Sequence, residues 1–172
     1  MKRPKFTILV VEDDPNDRFL IQRAIEANGV PAELRVASCG EEAIAYLKGE
    51  RQFADRALYQ YPSFLLTDLK MSCGDGLSVL AFLKSTPNSA IVPTVVLSAS
   101  GDLDDIKKAY MLGASAYFIK PHQNDALQRI IKVLVDFWML CEVPEVDEAG
   151  TRRLTESAGK LGERFPQLLA VA

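Results

Sequence analysis

Apolar residues recur along the chain in short runs separated by polar stretches. Phe6-Thr7-Ile8-Leu9-Val10-Val11, Phe64-Leu65-Leu66-Thr67, Thr94-Val95-Val96-Leu97-Ser98 and Ala116-Tyr117-Phe118-Ile119 are such runs. Short continuous runs predict strands buried on both faces, the habit of a parallel sheet. Leu34-Arg35-Val36-Ala37 alternates at its start, which predicts a shorter strand nearer a sheet edge. Between the runs, apolar positions fall at helical spacing. Leu20, Ala24 and Ala27 form one face, closed by Asn28-Gly29, and Ala43, Ile44 and Leu47 form a second, ending near Gly49. Leu77, Leu80 and Ala81 form a third. Ile106, Ala109 and Tyr110 form a fourth, stopped by Gly113. Leu127, Ile130, Ile131, Leu134 and Val135 form a longer fifth. Strand and helix alternate five times. That order predicts the α/β class, a doubly wound five-stranded parallel sheet with helices on both faces.

Two stretches depart from this pattern. Residues 50–63 carry Tyr59, Tyr61 and Pro62 and predict an extended loop before the third strand. After Pro144 the chain turns acidic. Residues 151–165 could then form a short amphipathic helix on Leu154, Ala158 and Leu161, although Gly159 and Gly162 weaken it. The expected organisation is one domain over residues 1–143 and a C-terminal extension, flexible or briefly helical, over 144–172.

Composition narrows the function. The 172 residues carry a formal charge of −3, with no basic surplus to favour nucleic acid as a partner. His122 is the sole histidine, which excludes multi-histidine metal sites. Cys39, Cys73 and Cys141 form no CxxC pair and read as inert small hydrophobes in a reducing, cytoplasmic compartment. The basic start MKRPKF lacks a signal-peptide core, and no apolar run is long enough to cross a membrane.

Ligands of open parallel sheets bind at the carboxyl ends of the strands. Here those ends carry Glu12-Asp13-Asp14, Asp68, Ser98 and Lys120-Pro121. Adjacent strand ends would gather carboxylates, a hydroxyl and an ammonium in one crevice. Clustered carboxylates repel unless a positive charge intervenes, and oxygen ligands suit Mg²⁺. A carboxylate can then act as nucleophile towards a phosphoryl group, with the metal, a lysine and a hydroxyl stabilising its oxygens. Asp68 follows an apolar strand and is the nucleophile candidate. Lys120 and Ser98 would contact the phosphoryl oxygens.

ILVVEDDPNDR, LLTDLKMSCGDG, VVLSAS and YFIKP, in that order and spacing, resemble the receiver domain of two-component response regulators over about Phe6 to Glu142. The resemblance implies a flavodoxin-like sheet of strand order 2-1-3-4-5, known for this family. It implies that Asp68 is the phosphoacceptor and that Asp13 binds Mg²⁺ directly, with Glu12 acting through water. Asp14 is not expected to be a ligand. Lys70 would offer its backbone carbonyl to the metal, Ser98 and Tyr117 would form the switch pair, and Lys120-Pro121 would be a cis peptide that aims the lysine. Three residues depart from the family pattern. Glu12 replaces the commoner aspartate, Ser72 stands where proline is common, and Lys70 places a cation beside the site. The loop before Asp68, Phe137-Trp138 and the lack of an output domain resemble the single-domain regulators that partner phytochrome histidine kinases.

The implied function is a switch. A sensor histidine kinase or phosphorelay protein would supply the phosphoryl group, and a downstream protein target would read the result. Phe137 and Trp138 suggest a homodimer. No nucleic-acid or membrane partner is expected, and no enzyme activity beyond self-catalysed phosphorylation and dephosphorylation. The alternatives are a Mg²⁺-dependent aspartyl-phosphate phosphohydrolase and a phosphorylation-independent pseudo-receiver. Against the first, haloacid dehalogenase-like phosphatases need a second Asp two positions after the nucleophile, and Lys70 stands there. Intact Asp13, Asp68, Ser98 and Lys120 argue against the second.

Overall fold

A computed structural model describes residues 6–29, 32–86 and 91–141. The elements run β1 (Phe6–Val11), α1 (Pro15–Ala27), β2 (Ala32–Ala37), α2 (Gly40–Lys48), a 3-10 turn (Arg51–Phe53), β3 (Phe64–Thr67), α3 (Gly76–Ser85), β4 (Thr94–Ser98), α4 (Leu103–Met111), β5 (Ala116–Ile119) and α5 (Asn124–Leu140). The strands form one parallel sheet in the order β2-β1-β3-β4-β5.

Strand residues alternate between two cores. Phe6, Ile8, Val10, Phe64, Leu66, Val95 and Leu97 pack against Ile21, Ala24 and Ile25 of α1 and Leu127, Ile131, Leu134 and Val135 of α5. Leu9, Val11 and Leu65 face the other way, onto Ala43, Tyr46 and Leu47 of α2 and Val79 and Leu83 of α3. Leu69 and Val96 complete that layer against Leu80 and Ala109. Each fully buried aliphatic side chain contributes about 1.5–3 kcal/mol of transfer free energy. β1, β3 and β4 are therefore apolar along their whole length because both faces are covered.

Register brings the strand ends level. Val11 pairs with both Ala37 and Thr67, and Thr67 pairs with Val96. The ladder continues one step past the strands, where Glu12 N donates to Ala37 O at 3.0 Å and Asp68 N to Val11 O at 3.0 Å. On β5, Lys120 N donates to Ser98 O at 2.8 Å. Glu12, Asp68 and Lys120 thus leave the sheet from hydrogen-bonded backbone.

Several details correct the sequence pattern. β5 is the second edge strand, half-buried, with Ile119 exposed, rather than covered on both faces. β2 lies at the opposite edge, as its alternation predicts, but is as long as β1. The buried faces of α1 and α3 are rotated from the expected ones. Ile21, Ala24 and Ile25 are buried while Ala27 is exposed, and Val79, Leu80 and Leu83 are buried while Ala81 is exposed. On α4 only Ala109 is buried, and Tyr110 is half exposed.

The loop at 50–63 is ordered rather than extended. Arg56 donates to the carbonyls of Tyr46 at 2.8 Å, Leu47 at 2.6 Å and Tyr59 at 3.2 Å, closing the end of α2. Tyr46, Phe53 and Tyr59 pack there ring against ring. Trp138 packs on Phe64, whereas Phe137 points outward. The extension at 144–172 and its expected helix lie outside the described residues.

Candidate functional site

The end of β1 runs directly into α1. Asp14 is the N-cap of that helix, its Oδ1 accepting from Asn16 N at 2.8 Å and Asp17 N at 3.0 Å. These two amide bonds hold the Asp14 carboxyl below its ordinary value. Its task is structural, in line with its expected exclusion from the ligand set. With Pro15 leading the first turn, the cap also fixes where Asp17 stands.

Lys120 gathers the site. Its Nζ lies 2.7 Å from Glu12 Oε2, 2.8 Å from Asp68 Oδ2 and 2.8 Å from Asp17 Oδ2. Burial works against the ammonium charge, but hydrogen bonds to Asp17, Asp68 and Glu12 outweigh it and hold Lys120 above its ordinary value. Glu12 is 1 % exposed. That burial raises its carboxyl pKa despite the opposing pull of Lys120. The expected cis bond after Lys120 is absent, for Lys120–Pro121 is trans. Trans is the lower-energy isomer by about 0.5–1 kcal/mol, and the long lysine stem spans the crevice without the turn a cis bond would supply.

Asp68 is 8 % exposed. Its Oδ1 accepts from Leu69 N at 2.5 Å and Lys70 N at 3.3 Å, so both carboxylate oxygens are held. The following loop leaves no room beside it. A Cβ on Gly76 would lie 2.1 Å from the Asp68 carbonyl, so only glycine fits where α3 begins.

Asp13 is not among the partners of Lys120; its Oδ2 accepts from Ser72 N at 2.9 Å. Lys70 turns away, pairing with Asp105 Oδ2 on α4 at 3.1 Å. That bond holds the exposed Lys70 above its ordinary value. Ser98 is buried and its Oγ accepts from Ser100 N at 3.4 Å. Tyr117 donates its hydroxyl to Ser100 O at 2.8 Å. Ser100 Oγ in turn donates to Asp105 Oδ2 at 2.7 Å. A continuous polar chain therefore runs from Ser98 and Tyr117 to Asp105 and Lys70.

The donor set of Glu12, Asp13, Asp68 and a backbone carbonyl is all hard oxygen and suits a divalent cation. Among the described residues, no three carboxylate, thiol or imidazole groups converge as a ready-made cage. Lys120 occupies the meeting point of Glu12 and Asp68, while Ser72 holds Asp13. Three anions and one ammonium within hydrogen-bond reach make a centre fit to receive a cation or a phosphoryl group.

Of the expected residues, Glu12, Asp68 and Lys120 meet directly. Ser98 and Tyr117 both bond Ser100 one strand away, and Asp13 and Lys70 stand at the rim. Asp17 was not among the expected residues. The signal for it lay in the spacing from Asp14, since a cap followed by proline places the residue three positions on in the first turn. His122 lines a cleft of about 270 Å³ with Asp17, Lys120 and Asn124, and makes no contact with Asp68.

Known proteins resemble this chain over most of its length. The sequence profile of the response regulator receiver domain family matches residues 8–132. The probable methanogenesis regulatory protein FilR2 of Methanothrix harundinacea is 32% identical over 78% of this chain and 84% of its own length. Response regulator Rcp1 of Synechocystis sp. is 29% identical over 79% of this chain and 90% of its own. Among solved structures, the phosphorylated cyanobacterial phytochrome response regulator RcpA superimposes with a TM-score of 0.77 at 36% identity, covering 83% of this chain and 100% of that one. Response regulator RPA3017, from red light signalling in R. palustris, gives a TM-score of 0.77 at 32% identity, covering 82% and 99%. The Mn²⁺-bound form of Rcp1 gives 0.75 at 29% identity, covering 83% and 100%.

Proposed function

Because the chain belongs to the response regulator receiver domain family and serves two-component signalling, we propose that Asp68 is its phosphoacceptor and that a sensor histidine kinase is its phosphoryl donor. The observation that carries this is the position of the Asp68 carboxylate, oriented by two backbone amides and touched by one ammonium.

Asp68 Oδ2 attacks phosphorus as the bond to the donor histidine nitrogen breaks, and that nitrogen keeps the electron pair and takes a proton. Lys120 then transfers its hydrogen bonds from the carboxylates to the phosphoryl oxygens. The Leu69 and Lys70 amides keep Oδ1 in place, and Ser98 Oγ donates to a phosphoryl oxygen once Tyr117 follows it inward. A divalent cation, Mg²⁺ in this reading, supplies Lewis-acid stabilisation when bound. Asp13, Asp68 and the Lys70 carbonyl would hold it, with Glu12 acting through water. Asp13 Oδ1 is free to do so while Oδ2 keeps Ser72 N.

The protein acts as a switch rather than as a phosphohydrolase. A hydrolase of the dehalogenase kind needs an acid at position 70, and Lys70 is engaged with Asp105 instead. The likeness to regulators named for phytochrome and red light supports a phytochrome-type kinase as partner. The remaining parts of the reading are a cytoplasmic location, a downstream protein target, a receiver unit over residues 1–143 with an extension at 144–172, and a homodimer contact at the exposed Phe137. Among the described residues no helix is long and apolar enough to cross a membrane.

The test is intact-protein mass after incubation with acetyl phosphate and Mg²⁺, beside Asp68→Asn and a chelated control. One phosphoryl adduct, lost in both controls, is expected. An adduct that survives Asp68→Asn would overturn the assignment.

A further inference from the structure

Two stretches of the chain share one pattern, Ser38-Cys39-Gly40-Glu41 and Ser72-Cys73-Gly74-Asp75. The fold docks them on each other. Gly40 N donates to Gly74 O at 2.9 Å, and Glu41 N donates to Cys73 O at 3.3 Å. The approach depends on glycine, since a Cβ on Gly40 would lie 2.6 Å from Gly74 O. Gly74 itself adopts φ +72, a left-handed conformation that L side chains rarely take. Two cysteines that are remote in sequence, and that read singly as inert, are brought side by side. Cys39 is buried at the N-cap of α2, and Cys73 is exposed on the loop between β3 and α3. The neighbouring Cys39 thiol, with burial, pushes the Cys73 thiol up to about 11.

We propose that Cys39 and Cys73 are a reversible dithiol–disulfide site, oxidised by exchange with low-molecular-weight disulfides, that fastens the loop following Asp68 to the start of α2. Exposure sets the order of events. The Cys73 sulfur gives up its proton and attacks one sulfur of the small disulfide. The disulfide bond breaks, and the first small thiol leaves with the proton. The Cys39 sulfur, which external reagents do not reach, then gives up its proton and attacks the Cys73 sulfur. The mixed disulfide breaks and the second small thiol leaves. Two protein thiols are oxidised and one small disulfide is reduced to two thiols. Cys73 is mostly protonated at neutral pH, so the first step accelerates with rising pH.

The crosslink bears on the phosphorylation site through Ser72. Its amide holds Asp13, and it directly precedes Cys73. Fastening Cys73 restrains that amide and, through it, the Asp13 carboxylate. This consequence rests on the phosphoacceptor reading, whereas the crosslink does not.

The experiment treats the reduced full chain with oxidised glutathione at about pH 8.5, where thiolate is more abundant. Intact mass and peptide mapping follow, then initial rates of Mg²⁺-dependent phosphorylation by acetyl phosphate. A Cys39–Cys73 crosslinked peptide is expected. The rate should fall about fivefold or more, the low end of typical coupling between sites. Dithiothreitol should restore it, and the exposed-site variant Cys73→Ser should show neither effect. A lasting glutathione adduct on Cys73 with no crosslink overturns the site. A crosslink with an unchanged rate overturns the link to Asp13. If reduced protein takes no phosphoryl group at all, the phosphoacceptor reading fails, and mass alone still decides the crosslink.

Discussion

Lys120→Met removes an ammonium and keeps most of its apolar stem. The ammonium is within 2.8 Å of Glu12, Asp17 and Asp68. Asp17 is 42 % exposed at its side chain, so water replaces the lost contact there and little stability is at stake. Glu12 and Asp68 are buried and lose their counter-ion. Breaking a buried pair by removing one partner costs about 3–5 kcal/mol. Proton uptake by Glu12, whose pKa burial already raises, limits the cost to about the lower end, 3 kcal/mol. For a domain of this size that lowers the thermal midpoint by about 10 °C. The deficit depends on pH. A carboxyl whose folded pKa lies above its unfolded value contributes stability that is present below the unfolded value and lost as pH rises through the folded one. The variant raises the Glu12 carboxyl further, so its deficit is largest near about pH 8 and closes towards about pH 5. Wild-type Lys120 is raised above 10.5. Its contribution is fully present below that value and stays constant across this window. Thermal unfolding followed by circular dichroism in chelator, from acid to mildly alkaline pH, reads both quantities. A deficit that does not change with pH, or a variant more stable than wild type near neutrality, would refute the charge-balance reasoning.

Glu12→Gln tests the same centre from the other side. The amide escapes the desolvation that raises the Glu12 pKa, while Lys120 keeps Asp17 and Asp68. A gain in stability, read as a higher thermal midpoint, is expected at neutral pH in chelator. It should vanish as pH falls below the ordinary carboxyl value, where wild-type Glu12 is neutral too; a less stable variant at neutrality contradicts it. Arg56→Met leaves the Tyr46, Leu47 and Tyr59 carbonyls without their donor. A loss of about 1–3 kcal/mol is expected, with faster amide exchange over residues 46–59 and an unchanged rate of phosphorylation by acetyl phosphate. A slower rate would show that this loop reaches the site.

The parallel sheet and most of the site were legible because strand chemistry is local. Apolar runs end where the ladder ends, and the residue after the run is the one presented at the crevice. Glu12, Asp68 and Lys120 each follow that rule. Coverage is not local. The run at Ala116–Ile119 has the composition of a covered strand, yet β5 lies at the edge because no strand pairs beyond it. Helix faces were legible to within a neighbouring stripe. Leu77, Leu80 and Ala81 fit one stripe of α3, but tertiary packing selected Val79, Leu80 and Leu83. The stripes differ by less than a turn, and only the sheet decides between them.

What the sequence held back is state rather than identity. The same residue types could surround a metal or hold a lysine, and nothing in their spacing says which. The geometry does: Lys120 spans the crevice and Asp13 is parked on Ser72. Asp17 adds little stability to this arrangement but gives it a way to change. It gives the ammonium a third, partly solvated partner that neither Glu12 nor Asp68 can replace. In the proposed reaction, Lys120 can leave the buried carboxylates for the phosphoryl group without losing every contact. An exposed carboxylate is the least costly one to share, because water screens it and takes its place. The position of Asp17 follows from the Asp14 cap and Pro15, two residues with no part in the chemistry. The local rules that start α1 therefore also decide which exposed partner the central lysine has.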